Sequence, residues 1–78
     1  MKLSELEKGE CAKIISIDSD PVLKSRFNSF GITRNATIYI IEYTIAKNTI
    51  EVKVQNTKIA LRVTEADLIK VEKIQCEI

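Results

Sequence analysis

The sequence predicts a mainly β fold: a small barrel of about five short strands, with one short helix between the first two. Three observations carry this. Segments rich in Ile, Val and Thr recur along the chain, and several alternate apolar with polar residues. Helical periodicity is confined to one stretch that has a start signal and a stop signal. Five short strands fall within fewer than 70 residues, which suggests a small barrel, a closure that removes exposed sheet edges.

Each element has its own reason. Cys11–Ile17 reads as the first strand, and its apolar period slips between Ile14 and Ile17, the mark of a bulge. Asp20 is placed to cap a helix that opens at Pro21, where no backbone N–H is needed. Leu23, Phe27 and Phe30 then share one apolar face, and Gly31 supplies the left-handed residue that ends the helix at Phe30. Thr37–Tyr43 is rich in β-branched and aromatic residues and reads as a strand. Its period puts Tyr39 and Tyr43 on one face, opposite Ile38 and Ile40. Ile50–Val54 and Lys58–Val63 alternate, with Ile50, Val52, Val54, Ile59, Leu61 and Val63 inward. The turn between them is Gln55-Asn56, with Asn as the residue that tolerates positive φ. Thr64 is a candidate cap for a short turn through Asp67, and Ile69–Ile74 is the last strand, with a second slip near its end. Leu3 to Lys8 reads as a further single turn closed by Gly9.

At 78 residues the chain is one domain, spanning 1–78, with a thin core. That disfavours a deep active-site cleft. Twelve basic and 11 acidic residues leave a formal charge of +1, and the basic ones are scattered. A nucleic-acid binder displays a basic stripe, so no nucleic-acid partner is expected. The opening residues carry acids and lack an apolar signal region, and no stretch approaches the roughly 20 apolar residues that span a bilayer. The expected location is cytoplasmic.

The chemistry of catalysis is missing from the pattern. With no His, Cys11 and Cys76 lack the usual base that activates a nucleophile. Gly9 and Gly31 are too far apart for a phosphate-cradling loop. Asp18 and Asp20 stand at a helix entry, where caps are the ordinary reading. The chain is expected not to be an enzyme, to have no catalytic residues and to need no cofactor. No metal site is expected either, since two cysteines without a CxxC pair or a His fall short of a tetrahedral set. In a reducing cytoplasm the expectation is two free thiols. The alternative is an antiparallel pairing of the first and last strands. A register matching Ile15 with Val71 brings position 11 near position 75, where the thiols can form a disulfide or share a metal.

Candidate contact residues lie near the end of the helix. Arg26, Phe30, Ile32 and Arg34 combine arginine with apolar side chains, the composition that interface centres favour, and Tyr43 is a possible extension. The competing reading is that Phe30 and Ile32 lock the helix onto the sheet, the arginines are solvated, and the tyrosines cover the helix. The loop from Thr44 to Thr49 is the next candidate surface.

Taken in order, several weak motifs resemble one family across nearly the full chain. They are Leu3-Ser4-Glu5-Leu6-Glu7-Lys8-Gly9-Glu10, Ala12-Lys13-Ile14, Phe27-Asn28-Ser29-Phe30-Gly31-Ile32, Thr37-Ile38, Ile50-Glu51-Val52, Ile59-Ala60-Leu61-Arg62 and Ile69-Lys70-Val71. Their order and spacing resemble FeoA, the small protein of bacterial ferrous iron transport. The resemblance implies an SH3-like β-barrel and a non-enzymatic role assisting FeoB, a membrane transporter with a cytoplasmic GTP-binding domain. Where the family usually has Pro-Gly after its helix, this chain has Arg34-Asn35. Where it usually has Gly before the Ile-Ala-Leu-Arg strand, Asn56 stands near. The same domain ends metal-dependent repressors of the DtxR class, after a helix-turn-helix. Here Met1 opens the FeoA-like region directly, which favours the free-standing form. An SH3-like RNA-binding module is a third reading, disfavoured by the scattered charge.

Overall fold

The computed structural model describes residues 1–44, 46 and 48–76. A 3₁₀ turn at Leu3–Glu5 leads into β1 (Cys11–Ile17), α1 (Pro21–Ser29), β2 (Thr37–Thr44), β3 (Thr49–Val54), β4 (Thr57–Arg62), the single-turn α2 (Val63–Ala66) and β5 (Ile69–Ile74). The five strands form one antiparallel sheet in the order β4-β3-β2-β1-β5. β4 and β5 are its two ends, so the curled sheet is not closed into a ring by strand pairing. α2 carries the chain from one end to the other.

The sheet curls around an apolar core of Leu3, Ile14, Phe27, Ile38, Val52, Ile69 and their neighbours, all buried. Leu3 and Leu6 put the N-terminal turn into this core, and a backbone bridge from Lys2 to Lys70 ties that turn to β5. Ile14 pairs with Val71, but Ser16 pairs with Lys70, so Ile15 is an extra residue on β1. The bulge turns Ile15 out to 39% exposure and returns Ile17 to the core. This is the slip seen in the sequence. The expected second slip near the end of β5 is absent: the register runs unbroken from Val71 to Ile74.

α1 begins and ends by the rules of helix capping. The Asp20 carboxylate accepts a hydrogen bond from the Leu23 N–H at 2.9 Å. At the other end the Gly31 N–H donates to Asn28 O and the Ile32 N–H to Phe27 O, both at 3.0 Å. With φ of +88° at Gly31, this is a Schellman motif. It corrects the expected helix face. Phe27 is buried and Leu23 half-buried, but Phe30 is 40% exposed. The chain reverses at Gly31, and Ile32, at 0% exposure, fills the core slot instead.

β4 stops at Arg62, one residue before the expected end, and Val63 opens α2 half-buried against the core. Thr64 is not the cap. The Glu65 carboxylate reaches back to accept from the Arg62 N–H at 3.0 Å, the acidic half of a capping box. In the β3–β4 turn the positive φ falls on Gln55 (+57°) rather than Asn56, whereas Asn35 takes +72° in the Arg34-Asn35 turn.

The tyrosines do not share a face. Ile40 pairs with Val52 but Glu42 with Glu51, so Ile41 is a second bulge residue, on β2. It reverses the alternation beyond it. Tyr43 therefore lies opposite buried Ile50 and packs against the core, whereas Tyr39 points outward, 38% exposed.

Candidate functional site

The end of α1 presents the residues singled out in the sequence, but not as one patch. Arg26 projects toward α2, where its guanidinium lies 3.8 Å from the Glu65 carboxylate. Phe30 follows one turn later on the same side of the helix, exposed. Arg34 lies on the other side, in a groove with Ile15, Lys24 and Asn28. Ile32 offers no surface, because the Schellman turn drives it into the core. Tyr43 is half-buried, and its hydroxyl lies within hydrogen-bonding reach of the carbonyl oxygens of Leu6 and Ser4, the latter at 3.2 Å. It ties β2 to the N-terminal turn. Burial, with the Glu10 and Glu7 carboxylates adding to it, raises the Tyr43 pKa above that of a free phenol. The hydroxyl therefore stays protonated and able to donate. Of the loop from Thr44 to Thr49, Ile45 and Lys47 lie outside the described residues.

The outer face of the sheet carries a second feature that the sequence pattern did not place. Gly9, Cys11, Thr37, Tyr39, Lys53, Gln55, Ile74, Gln75 and Cys76 line an open groove of about 830 Å³. Cross-strand register builds its floor: Cys11 lies opposite Tyr39 on one side and Ile74 on the other, and Tyr39 lies opposite Lys53. Beside it, Glu10 and Lys73 form an ion pair. The Lys73 side-chain hydrogen bond and the Glu7 N–H hold the Glu10 carboxyl below the usual carboxylate value, and the same contact raises Lys73.

The two cysteines meet here. Cys11 and Cys76 form a disulfide across 65 residues of sequence, with Cα atoms 5.3 Å apart. This corrects the expectation of two free thiols. The register also differs from the one considered, since the extra residue Ile15 makes Ile14, not Ile15, the partner of Val71. Cys11 thus faces Ile74, and Cys76, two residues beyond, reaches back to it. Among the described residues no group of three or more His, Cys, Asp or Glu side chains is placed to hold a metal ion. No helix among them is long and apolar enough to cross a membrane.

A scan against protein-family models matches the FeoA domain over residues 1–73. The chain belongs to the FeoA domain family. It is 34% identical over 74 residues to an Fe(2+) transport protein A of Helicobacter pylori, covering 94% of this chain and 97% of that one. Among solved structures it is similar to the FeoA protein of Chlorobium tepidum, at 28% identity and a TM-score of 0.90, covering 100% of this chain and 74% of that one. The FeoA of Stenotrophomonas maltophilia, solved with zinc and described as a prokaryotic SH3 domain protein, has the same fold. It is 24% identical with a TM-score of 0.80, over 92% of this chain and 89% of that one. A manganese-dependent transcriptional repressor also contains the fold, at 21% identity and a TM-score of 0.85, over 95% of this chain and 41% of the repressor. FeoA membership therefore accounts for the SH3-like architecture and connects the chain with ferrous iron transport.

Proposed function

We propose that this chain is a cytoplasmic accessory protein of ferrous iron uptake that acts by protein contact, docking on the cytoplasmic GTP-binding part of a FeoB-type transporter and catalysing no reaction itself. The observation that carries the reading is the FeoA-domain match over residues 1–73, with relatives named for Fe(2+) transport. A binding role suits the geometry. The core is filled by apolar side chains, and the exposed chemistry consists of a helix end and a sheet face.

The proposed contact is the end of α1, with Phe30 as the apolar anchor and Arg26 and Arg34 flanking it on the two sides of the helix. Ile32 and Tyr43 take part from within, by fixing the helix end and β2. Docking shifts the transporter between conformations only as far as its affinity for the two differs. The test is an Arg34→Glu, Phe30→Ala double variant, measured by calorimetry against the transporter's cytoplasmic domain. Both side chains are exposed, so the variant should keep its fold and lose at least tenfold in affinity, about 1.4 kcal/mol. Full binding by the folded variant would move the contact surface elsewhere. Deletion of the gene in a strain with no second copy should lower ferrous iron uptake, and unchanged uptake would refute the role itself.

A further inference from the structure

We propose that Cys11 and Cys76 form a reversible thiol–disulfide site that pins the residues after β5 as one wall of the open outer groove, so that reduction frees that wall without unfolding the domain. The placement of the two sulfurs carries this. Cys11 is 7% exposed, at the first residue of β1 between β2 and β5, and its position is set by backbone pairing on both sides. Cys76 is different. It lies two residues past the end of β5, half-buried at the groove, on a segment with no strand partner. One sulfur is held by the sheet and the other is delivered by a short extension.

Opening the bond releases only that extension. The apolar core contains neither cysteine, and β5 stays bound to β1 through pairs from Cys11↔Ile74 to Ile17↔Ile69. Cys76 is the sulfur that a small thiol can reach, because it is the more accessible of the two, and accessible disulfides are the labile ones. The reduced state is also provided for. Cys76 Sγ lies 3.5 Å from the Gly9 carbonyl oxygen, and a thiol there has an acceptor that the disulfide, which carries no proton, cannot use.

The exchange partner is a low-molecular-weight thiol and its disulfide. In the oxidising direction the Cys76 thiolate attacks one sulfur of the small disulfide and expels one small thiolate, leaving a mixed disulfide on Cys76. The Cys11 thiolate then attacks the Cys76 sulfur and expels the second. Two protons leave the protein thiols and two small thiols form. Two electrons pass from the protein pair to the small disulfide, and reduction reverses each step. With the latch closed, Gln75 and Cys76 line the groove beside Cys11, and Tyr39 is already 38% exposed. With it open, the wall made by Gln75 and Cys76 is released and the Cys11 thiol joins Tyr39 on the accessible groove floor.

The test equilibrates the full chain with stepped ratios of reduced to oxidised glutathione, from fully oxidised to strongly reducing, followed by acid quenching, alkylation and mass spectrometry. The expected result is one two-electron transition within that span, with two alkylated cysteines appearing together. Backbone amide spectra of the two end states should both be dispersed, and should differ at Gly9–Cys11, Tyr39 and Ile74–Cys76. Cys76→Ser should fold, show no transition and match the reduced spectrum. A pair that stays oxidised at every ratio would make the bond a fixed staple and overturn the proposal. So would a pair that never oxidises, or a chain whose amide dispersion collapses on reduction.

Discussion

Reduction of the Cys11–Cys76 bond should lower the stability of the domain by about 2 kcal/mol, less than loop length alone suggests. The bond spans 65 residues, and in the chain-entropy model a loop of that size restricts the unfolded chain by about 4 kcal/mol. The folded chain has its own ordering cost. Gln75 and Cys76 lie beyond β5 without strand pairing, and holding two such residues in place costs roughly 1 kcal/mol each. The difference between the two terms is the expected effect. A chain of 78 residues has a total stability of roughly 4–12 kcal/mol, so the reduced form should remain folded. At about 4–8 °C per kcal/mol for a domain of this size, the melting temperature should fall by about 8–16 °C. Thermal melts with and without reductant, repeated on Cys11→Ser/Cys76→Ser, measure it directly. Coincident melts would show that the bond does not restrain the unfolded chain. A loss near 4 kcal/mol would show that the C-terminal segment is already ordered before the bond closes.

Replacing Asp20 with Ala removes the acceptor for the Leu23 N–H and should cost about 1 kcal/mol in urea denaturation. Gly31→Ala places a side chain at a φ of +88° and should cost about 1–2 kcal/mol by the same assay, although the added methyl finds ordinary contact distances. Tyr43→Phe leaves the Leu6 carbonyl without its hydroxyl donor and should cost about 1 kcal/mol, with faster amide exchange in the N-terminal turn. The Glu10 carboxyl, lowered in the fold, favours the folded state above the ordinary carboxylate pKa, and that contribution fades as pH falls through its own lower value. Lys73, raised in the fold, favours it below the ordinary lysine pKa and loses this as pH climbs through its higher value. Lys73→Gln should move the Glu10 titration, followed by NMR, back toward the ordinary carboxylate range; an unmoved titration would exclude Lys73 as the cause.

Elements defined by nearest neighbours in sequence were legible, and those defined by register were only partly so. The ends of β1 and β5, the Asp20 cap and the Gly31 stop follow from local chemistry, and the sequence pattern located all of them. The bulge on β1 was visible because Ile14 and Ile17 both needed the core. The bulge on β2 was not, since Ile38, Tyr39, Ile40, Ile41 and Tyr43 are all apolar enough to suit either face, and only the pairing with β3 shows where the alternation reverses. Phe30 and Ile32 compete for one core slot, and the capping geometry that decides between them involves hydrogen bonds the sequence does not display. The cysteine pair depended on a one-residue shift: with Ile15 in the ladder Cys11 lies opposite position 75, out of phase with Cys76, and with Ile15 bulged it lies opposite Ile74, in phase with Cys76 two residues on.

The strand order also sets when the domain can form. β1 lies inside the sheet, yet its longer ladder is with β5, the last strand made: six register pairs against three with β2. During synthesis β2, β3 and β4 can each zip onto the strand before it as it emerges, β2 onto β1 through the shorter ladder. The other edge of β1 must wait, unpaired, until the chain has been extended through Ile69–Ile74. Closing such a long loop is slow relative to hairpin formation, and the unpaired edge is open to wrong partners in the meantime. The nascent chain therefore completes its sheet only once β5 has emerged, and an interruption before β5 leaves a four-strand meander with one edge of β1 unpaired.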